Sequence, residues 1–196
     1  MIKTISCNIS DFLVKKGANP EQREVYSYSM ECLINYLLSD LLLYCTAALF
    51  HRLPAVFVWS VSYTMLRIYI GGYHAPTHAA CIILGTVLGI CGTFINNIWP
   101  LSTVLPVLLF ALIIGYIILF APVVHKNHPV SAKNKKKSKW KALFVTLIGY
   151  LAAYIMYSFG NQLANSIFSG FACALLLALI ATLLSNFTEK THRAQV

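Results

Sequence analysis

Residues 163–187 read LANSIFSGFACALLLALIATLLSNF, 25 residues without a single charged side chain. At 1.5 Å per residue a helix of this length crosses the roughly 30 Å of bilayer hydrocarbon. An amphipathic surface helix of a soluble protein would show charged residues on one face. The stretch therefore reads as a membrane span. Working outward, five more apolar segments precede it: Leu33–Phe50, Leu53–Ile70, Ala79–Ile98, Leu101–Ala121 and Trp140–Phe159. Turn-forming residues separate them: His51-Arg52-Leu53-Pro54, Gly71-Gly72, Asn96-Asn97 with Pro100, Pro122 with Pro129, and Gly160-Asn161. Whole-chain composition agrees, with 58% hydrophobic residues, 11% charged ones and a mean hydropathy of +0.70. Soluble domains carry about 25% charged residues, so a soluble enzyme is excluded. The expected fold is all-α: one integral membrane domain over residues 1–196, with about six transmembrane helices.

The first 23 residues differ in character. Ile2, Ile5, Ile9, Phe12 and Leu13 alternate with Lys3, Asp11, Lys15 and Lys16. That mixture predicts an amphipathic interfacial helix ending at Gly17 and Pro20. Because no continuous apolar run follows the first basic residues, no cleaved signal peptide is expected.

The net charge of +9 would mark phosphate contacts in a nucleic-acid binder. In a membrane chain its distribution matters more. With the N-terminus inside, six spans put 14 of the 15 Lys and Arg residues on one side and leave Arg52 alone outside. The positive-inside bias predicts a multi-pass protein of the cell membrane with both termini cytoplasmic and no nucleic-acid partner. A basic cytoplasmic loop over 122–139 follows, its cations attracted to anionic lipid or to an acidic peptide. Outer connections only a few residues long place any chemistry in the membrane or at its inner face.

One segment concentrates reactive groups there: Arg67-Ile-Tyr-Ile-Gly71-Gly72-Tyr73-His74-Ala75-Pro76-Thr77-His78-Ala79-Ala80-Cys81. In one continuous helix His74 and Cys81 would lie about 10 Å apart along the axis. Gly71-Gly72 and Pro76 argue against such a helix. The reading instead ends one span near Gly71 and opens the next near Pro76, leaving 71–78 as a cytoplasmic-side turn in which His74 folds back over Cys81. A Cys one turn inside a helix N-terminus and beside an imidazole is favoured as thiolate. A His–Cys dyad is a minimal apparatus for acyl transfer, with Arg67 placed to stabilise an oxyanion or hold a carboxylate.

Blander accounts exist for each group. Cys81 is one of six cysteines, most of which serve as small apolar residues, and Arg67 can simply snorkel to the headgroups. His74, His78 and Cys81 also fit an H-x3-H-x2-C metal pattern, but Pro76 spoils the helical spacing and no fourth ligand is evident, so no metal and no cofactor are expected. The absence of a C-x-x-C pair argues against a redox motif or zinc ribbon. Gly85 and Gly89 form a G-x-x-x-G stripe suited to close helix packing or to a homodimer, with Cys81 one step further along it. Glu31, Asn35 and Ser39 make a polar stripe on the first span. Glu31 is expected to pair with Arg67 at similar depth, or alternatively to orient His74; Asp40 has no assigned role.

The block Arg67-x3-Gly71-Gly72-x-His74-Ala75 followed by Cys81, together with Phe120-Ala121-Pro122, Asn127-x-Pro129 and the basic stretch, resembles the accessory gene regulator B (AgrB) family of membrane peptidases in peptide quorum sensing. The resemblance implies a cysteine endopeptidase acting on a short precursor peptide at the bilayer, with His74 as general base and Cys81 as nucleophile. The enzyme would release the precursor's acidic tail and hold the remainder as a thioester. A Cys or Ser of the precursor would then close a thiolactone or lactone ring. A small transporter or peptide exporter is the alternative, since Glu31, Asn35 and Asp40 line one span, although no internal repeat or paired broken helices accompany them. A non-catalytic membrane scaffold is the third.

Overall fold

The structure is a computed structural model describing residues 2–73, 75, 77–95, 104–122 and 132–193. Those residues form helices α1 (Ile2–Lys15), α2 (Arg23–Leu49), α3 (Leu53–Ile70), α4 (His78–Ile95), α5 (Val104–Leu119), α6 (Ala132–Ser158) and α7 (Ala164–Arg193), with a 3-10 turn at Pro20–Gln22 and no strand among them. The all-α expectation holds. Helices α2, α3, α6 and α7 are long and apolar enough to cross a membrane, while α4 and α5 are strongly apolar but shorter among the described residues.

Local chemistry explains the boundaries. Helix α1 stops at Gly17, whose φ of 105° is open to glycine. The Ala18 and Gly17 amides reach back to the Leu13 and Val14 carbonyls, a Schellman closure. Asn19 then accepts from the Glu21 amide at 3.0 Å to start the next turn. Pro54 sits in the first turn of α3, where its missing N–H costs nothing. The basic stretch expected as a loop through residue 139 is corrected: α6 already starts at Ala132, because lysine is a good helix former and the apolar turns from Trp140 onward anchor a helix that extends back through it. Lys139 there donates to the Ile118 carbonyl at 2.8 Å, and Lys141 lies 5.5 Å from the Tyr69 ring centre.

Helix α3 is the central element, packed most extensively on α7 and also on α6, α4 and α2. Leu66, Ile70, Ile113, Ile117, Phe171 and Ala178 form the main core. A second cluster of Leu43, Ala47, Val56 and Trp59 joins α2 to α3. Outward, Leu41, Phe57, Leu112, Phe144, Tyr154 and Leu176 stand exposed. Exposed apolar residues in such number suit a lipid environment. Several small polar groups at the interfaces bond their own helix: Thr146 to the Ala142 carbonyl, Ser10 to the Ser6 carbonyl.

The glycine stripe is used within the chain. A Cβ on Gly85 would stand 2.9 Å from Ser39 Oγ; one on Gly89 would stand 2.6 Å from Leu43 Cδ1 and 3.1 Å from Trp59 Cζ3. Gly85 therefore brings α4 against α2, Gly89 brings it against both α2 and α3, and the stripe supplies no argument for a dimer.

Candidate functional site

Where α2, α3, α4 and α7 meet, a cavity of about 930 Å³ opens. Its polar lining comes from the α2 stripe Glu31, Asn35, Ser39 and Asp40, from Arg67 on α3, and from His78 and Cys81 on α4. Thr77 caps α4: its hydroxyl accepts from the Ala80 amide at 3.2 Å, and its carbonyl accepts from the Cys81 amide at 3.0 Å. The helix therefore opens at His78, two residues later than the expected start near Pro76. Cys81 remains about one turn inside the amino end, half-buried and on the cavity wall rather than facing lipid.

Helix α3 ends at Gly71, with φ 79° and ψ −168°. A side chain in this region is strained, so Gly71 is required by the backbone itself. Gly72 is different: an added Cβ would meet Arg67 Cζ at 3.6 Å and the Leu177 carbonyl carbon at 3.8 Å, ordinary contacts. The segment after it is held twice. The Tyr73 amide donates to the Leu177 carbonyl of α7 at 3.0 Å, and the Tyr73 carbonyl accepts from Arg67 Nη2 at 2.6 Å. Arg67 Nη1 also donates to the Tyr63 hydroxyl, and its guanidinium lies 5.3 Å from the Tyr63 ring centre. Arg67 thus fixes the chain immediately before His74.

His74 and Pro76 lie outside the described residues. Their neighbours Tyr73, Ala75 and Thr77 all line the cavity.

The expected Glu31–Arg67 pair is corrected. Arg67 is committed to Tyr63 and Tyr73, while Glu31 Oε1 meets His78 Nε2 at 2.6 Å. The physical reason is direction: Arg67 points along its own helix to the residue four positions earlier and to the linker, whereas His78 opens α4 opposite Glu31. Tyr63 was within reach of sequence reasoning, since i and i+4 share a helix face. The Leu177 carbonyl and the Glu31–His78 contact were not, as each joins distant helices. Deeper in the cavity the Asn35 Oδ1 atom is buried without a hydrogen-bond partner. Tyr44 and Ser60 share a 2.6 Å hydrogen bond between α2 and α3.

Arranged this way, the site joins a half-buried thiol at a helix amino end, an anchored cation, a carboxylate–imidazole pair and a glycine-set linker. That set suits acyl transfer. Among known proteins, a protein of Clostridium perfringens named AgrB-like is 28% identical over 85% of this chain and 84% of its own. A second from the same species is 26% identical over 82% of this chain and 83% of its own. The accessory gene regulator protein B of Staphylococcus carnosus is 26% identical over 69% of this chain and 71% of its own. No solved structure matches. The family model described as Accessory gene regulator B matches residues 6–185. With that match running from α1 through most of α7, the chain belongs to the accessory gene regulator B family.

Proposed function

We propose that this protein is a membrane cysteine endopeptidase that processes a short precursor peptide of quorum sensing, with Cys81 as nucleophile and His74 as general base. The observation that carries the reading is Cys81 itself: a half-buried thiol on a cavity wall, one turn inside α4, facing a linker held by Arg67. The sulfur attacks the carbonyl carbon of the scissile bond, and the C–N bond breaks as the imidazolium of His74 gives its proton to the departing amine. The tail leaves and the remaining peptide stays as a thioester on Cys81. A thiol or hydroxyl of the same peptide then attacks the thioester carbon, closing the ring and releasing Cys81. Ring closure competes with hydrolysis to the extent that water is kept from the thioester. Arg67 keeps further N–H groups beyond those given to Tyr63 and Tyr73, suited to a peptide carboxylate or the developing oxyanion.

Coexpression with a short precursor peptide, followed by mass measurement of the products, tests the reading. Cys81→Ala inserted normally in the membrane should release no tail. Full tail release by that variant would falsify the proposal. Transport without proteolysis would instead appear as peptide flux into proteoliposomes that is indifferent to Cys81→Ala.

A further inference from the structure

We infer that His78, oriented by Glu31, is a second proton acceptor for the Cys81 thiol, so that the site is a Cys81–His78–Glu31 relay in addition to His74. The inference rests on Cys81 being the reactive thiol proposed above. Three observations carry it. His78 and Cys81 are three residues apart on α4, which puts their Cβ atoms on one helix face about 5–6 Å apart. Both side chains line one cavity, and Glu31 lines it from the opposing helix α2. The Glu31 carboxylate holds His78 Nε2 at 2.6 Å, which fixes the ring and leaves Nδ1 as its remaining proton site.

Exposure separates the partners' roles. The His78 side chain is 39% exposed, while Glu31 is only 19% exposed and is held to its partner. The other ionisable groups facing the cavity are Tyr28, Cys32, Tyr36 and Asp40 on α2, Tyr63 and Arg67 on α3, and Tyr73 in the linker. The charged ones do not displace the pair: Arg67 is engaged by Tyr63 and Tyr73, and Asp40 lies roughly 13 Å further along α2.

The step balances simply. The S–H bond of Cys81 breaks, its proton bonds to His78 Nδ1, and the electron pair stays on sulfur. The product is a thiolate facing an imidazolium whose other N–H remains on Glu31. When a peptide carbonyl is attacked, that proton is available to the departing amine. The arrangement follows the general logic of nucleophile, base and orienting carboxylate.

The test measures alkylation of Cys81 in the full-length protein in lipid nanodiscs, by mass spectrometry of the Cys81 peptide from pH 5 to 10. With iodoacetamide, His78→Gln should slow labelling about tenfold at pH 7 and move the rate profile up by about one pH unit, with an unchanged plateau near pH 10. Glu31→Gln should move the profile in the same direction by less. The double variant should match His78→Gln alone, because Glu31 acts through His78. An unchanged profile in His78→Gln, a plateau lowered at every pH, or additive effects in the double variant would each overturn the relay. Thiol labelling does not depend on the precursor. Failure of the relay therefore shows in the pH profile, and failure of the peptidase reading shows in the peptide masses.

Discussion

Gly170→Ala is the substitution by which the packing argument is most exposed to refutation. Gly170 lies on α7 where that helix crosses α3, and a Cβ there would stand 2.8 Å from the Trp59 carbonyl oxygen, 3.2 Å from Ser62 Cβ and 3.2 Å from the Tyr63 amide nitrogen. Two of those atoms are backbone, so the clash cannot be relieved by turning a side chain; the helices must separate by several tenths of an ångström. Replacing Gly by Ala inside a helix gains about 0.8–1.0 kcal/mol of propensity. Overpacking a well-filled site costs about 1–3 kcal/mol. With backbone in contact the upper part of that range applies, leaving a net loss of about 1–2 kcal/mol. Gly115→Ala is the internal control: it is also within a helix, and nothing lies within 4 Å of the added carbon, so only the propensity gain of about 1 kcal/mol remains. Thermal unfolding of both variants in the same detergent should place Gly170→Ala below the parent by a few degrees and Gly115→Ala at or above it. Because α7 also carries the Leu177 carbonyl that holds Tyr73, Gly170→Ala should lose peptide processing further than its stability alone predicts. Equal melting temperatures for the two variants would refute the claim that α3 and α7 meet backbone to backbone.

The linker glycines should separate in the same way. Gly71→Ala forces a side chain into φ 79° and should abolish tail release, whereas Gly72→Ala meets only ordinary contacts and should retain most of it; comparable loss in both would contradict this backbone account. A pH effect is expected at the other end of the chain. The hydrogen bond from Arg23 Nε to Asp11 Oδ1, at 2.5 Å, and the charge of Arg23 hold the Asp11 carboxyl below its ordinary value of 3.8. A lowered carboxylate contributes above its unfolded value and is lost as pH falls through the folded one. Docking of α1 on α2, followed by a spin-label distance between them, should therefore be constant from about pH 5 to 8 and loosen below about pH 4. Asp11→Asn should already be loosened at neutral pH and should show no further change with acid.

Apolar runs without charge made the helices legible, because bilayer thickness sets the length of such a run almost independently of tertiary contacts. Helix ends were less so. Helix α2 starts at Arg23, ten residues before the apolar segment at Leu33, and α6 starts inside the lysine stretch, since a helix continues through polar residues once its apolar turns are anchored. Gly17, Gly71 and Pro54 marked their turns correctly because each acts through its own backbone. Within the site, Cys81, Arg67 and the glycine pair were readable from spacing along one segment. Glu31 was placed on a polar stripe of the first span but given the wrong partner. The choice between Arg67 and His78 depends on which way two side chains point across helices 36 and 47 residues away, and no local pattern encodes that.

The glycine stripe and the carboxylate–imidazole pair are parts of one arrangement. Among the contacts that tie α2 to α4 are Glu31 to His78, Ser39 over Gly85, and Leu43 over Gly89. The residue offsets are 47, 46 and 46, so the two helices run parallel and nearly in register along about 18 Å of α2. Parallel passage is what the intervening α3 imposes, since it returns the chain to the side on which α2 began. The register then decides which α4 residue meets Glu31. A one-residue slip rotates α4 by about 100° and would turn His78 and Cys81 together away from the cavity. Gly85 and Gly89 favour that register by letting Ser39 and Leu43 come within 3 Å of where a Cβ would stand. A stripe that first suggests contact between two proteins therefore serves the cavity, aligning Glu31 of one helix with His78 and Cys81 of the next.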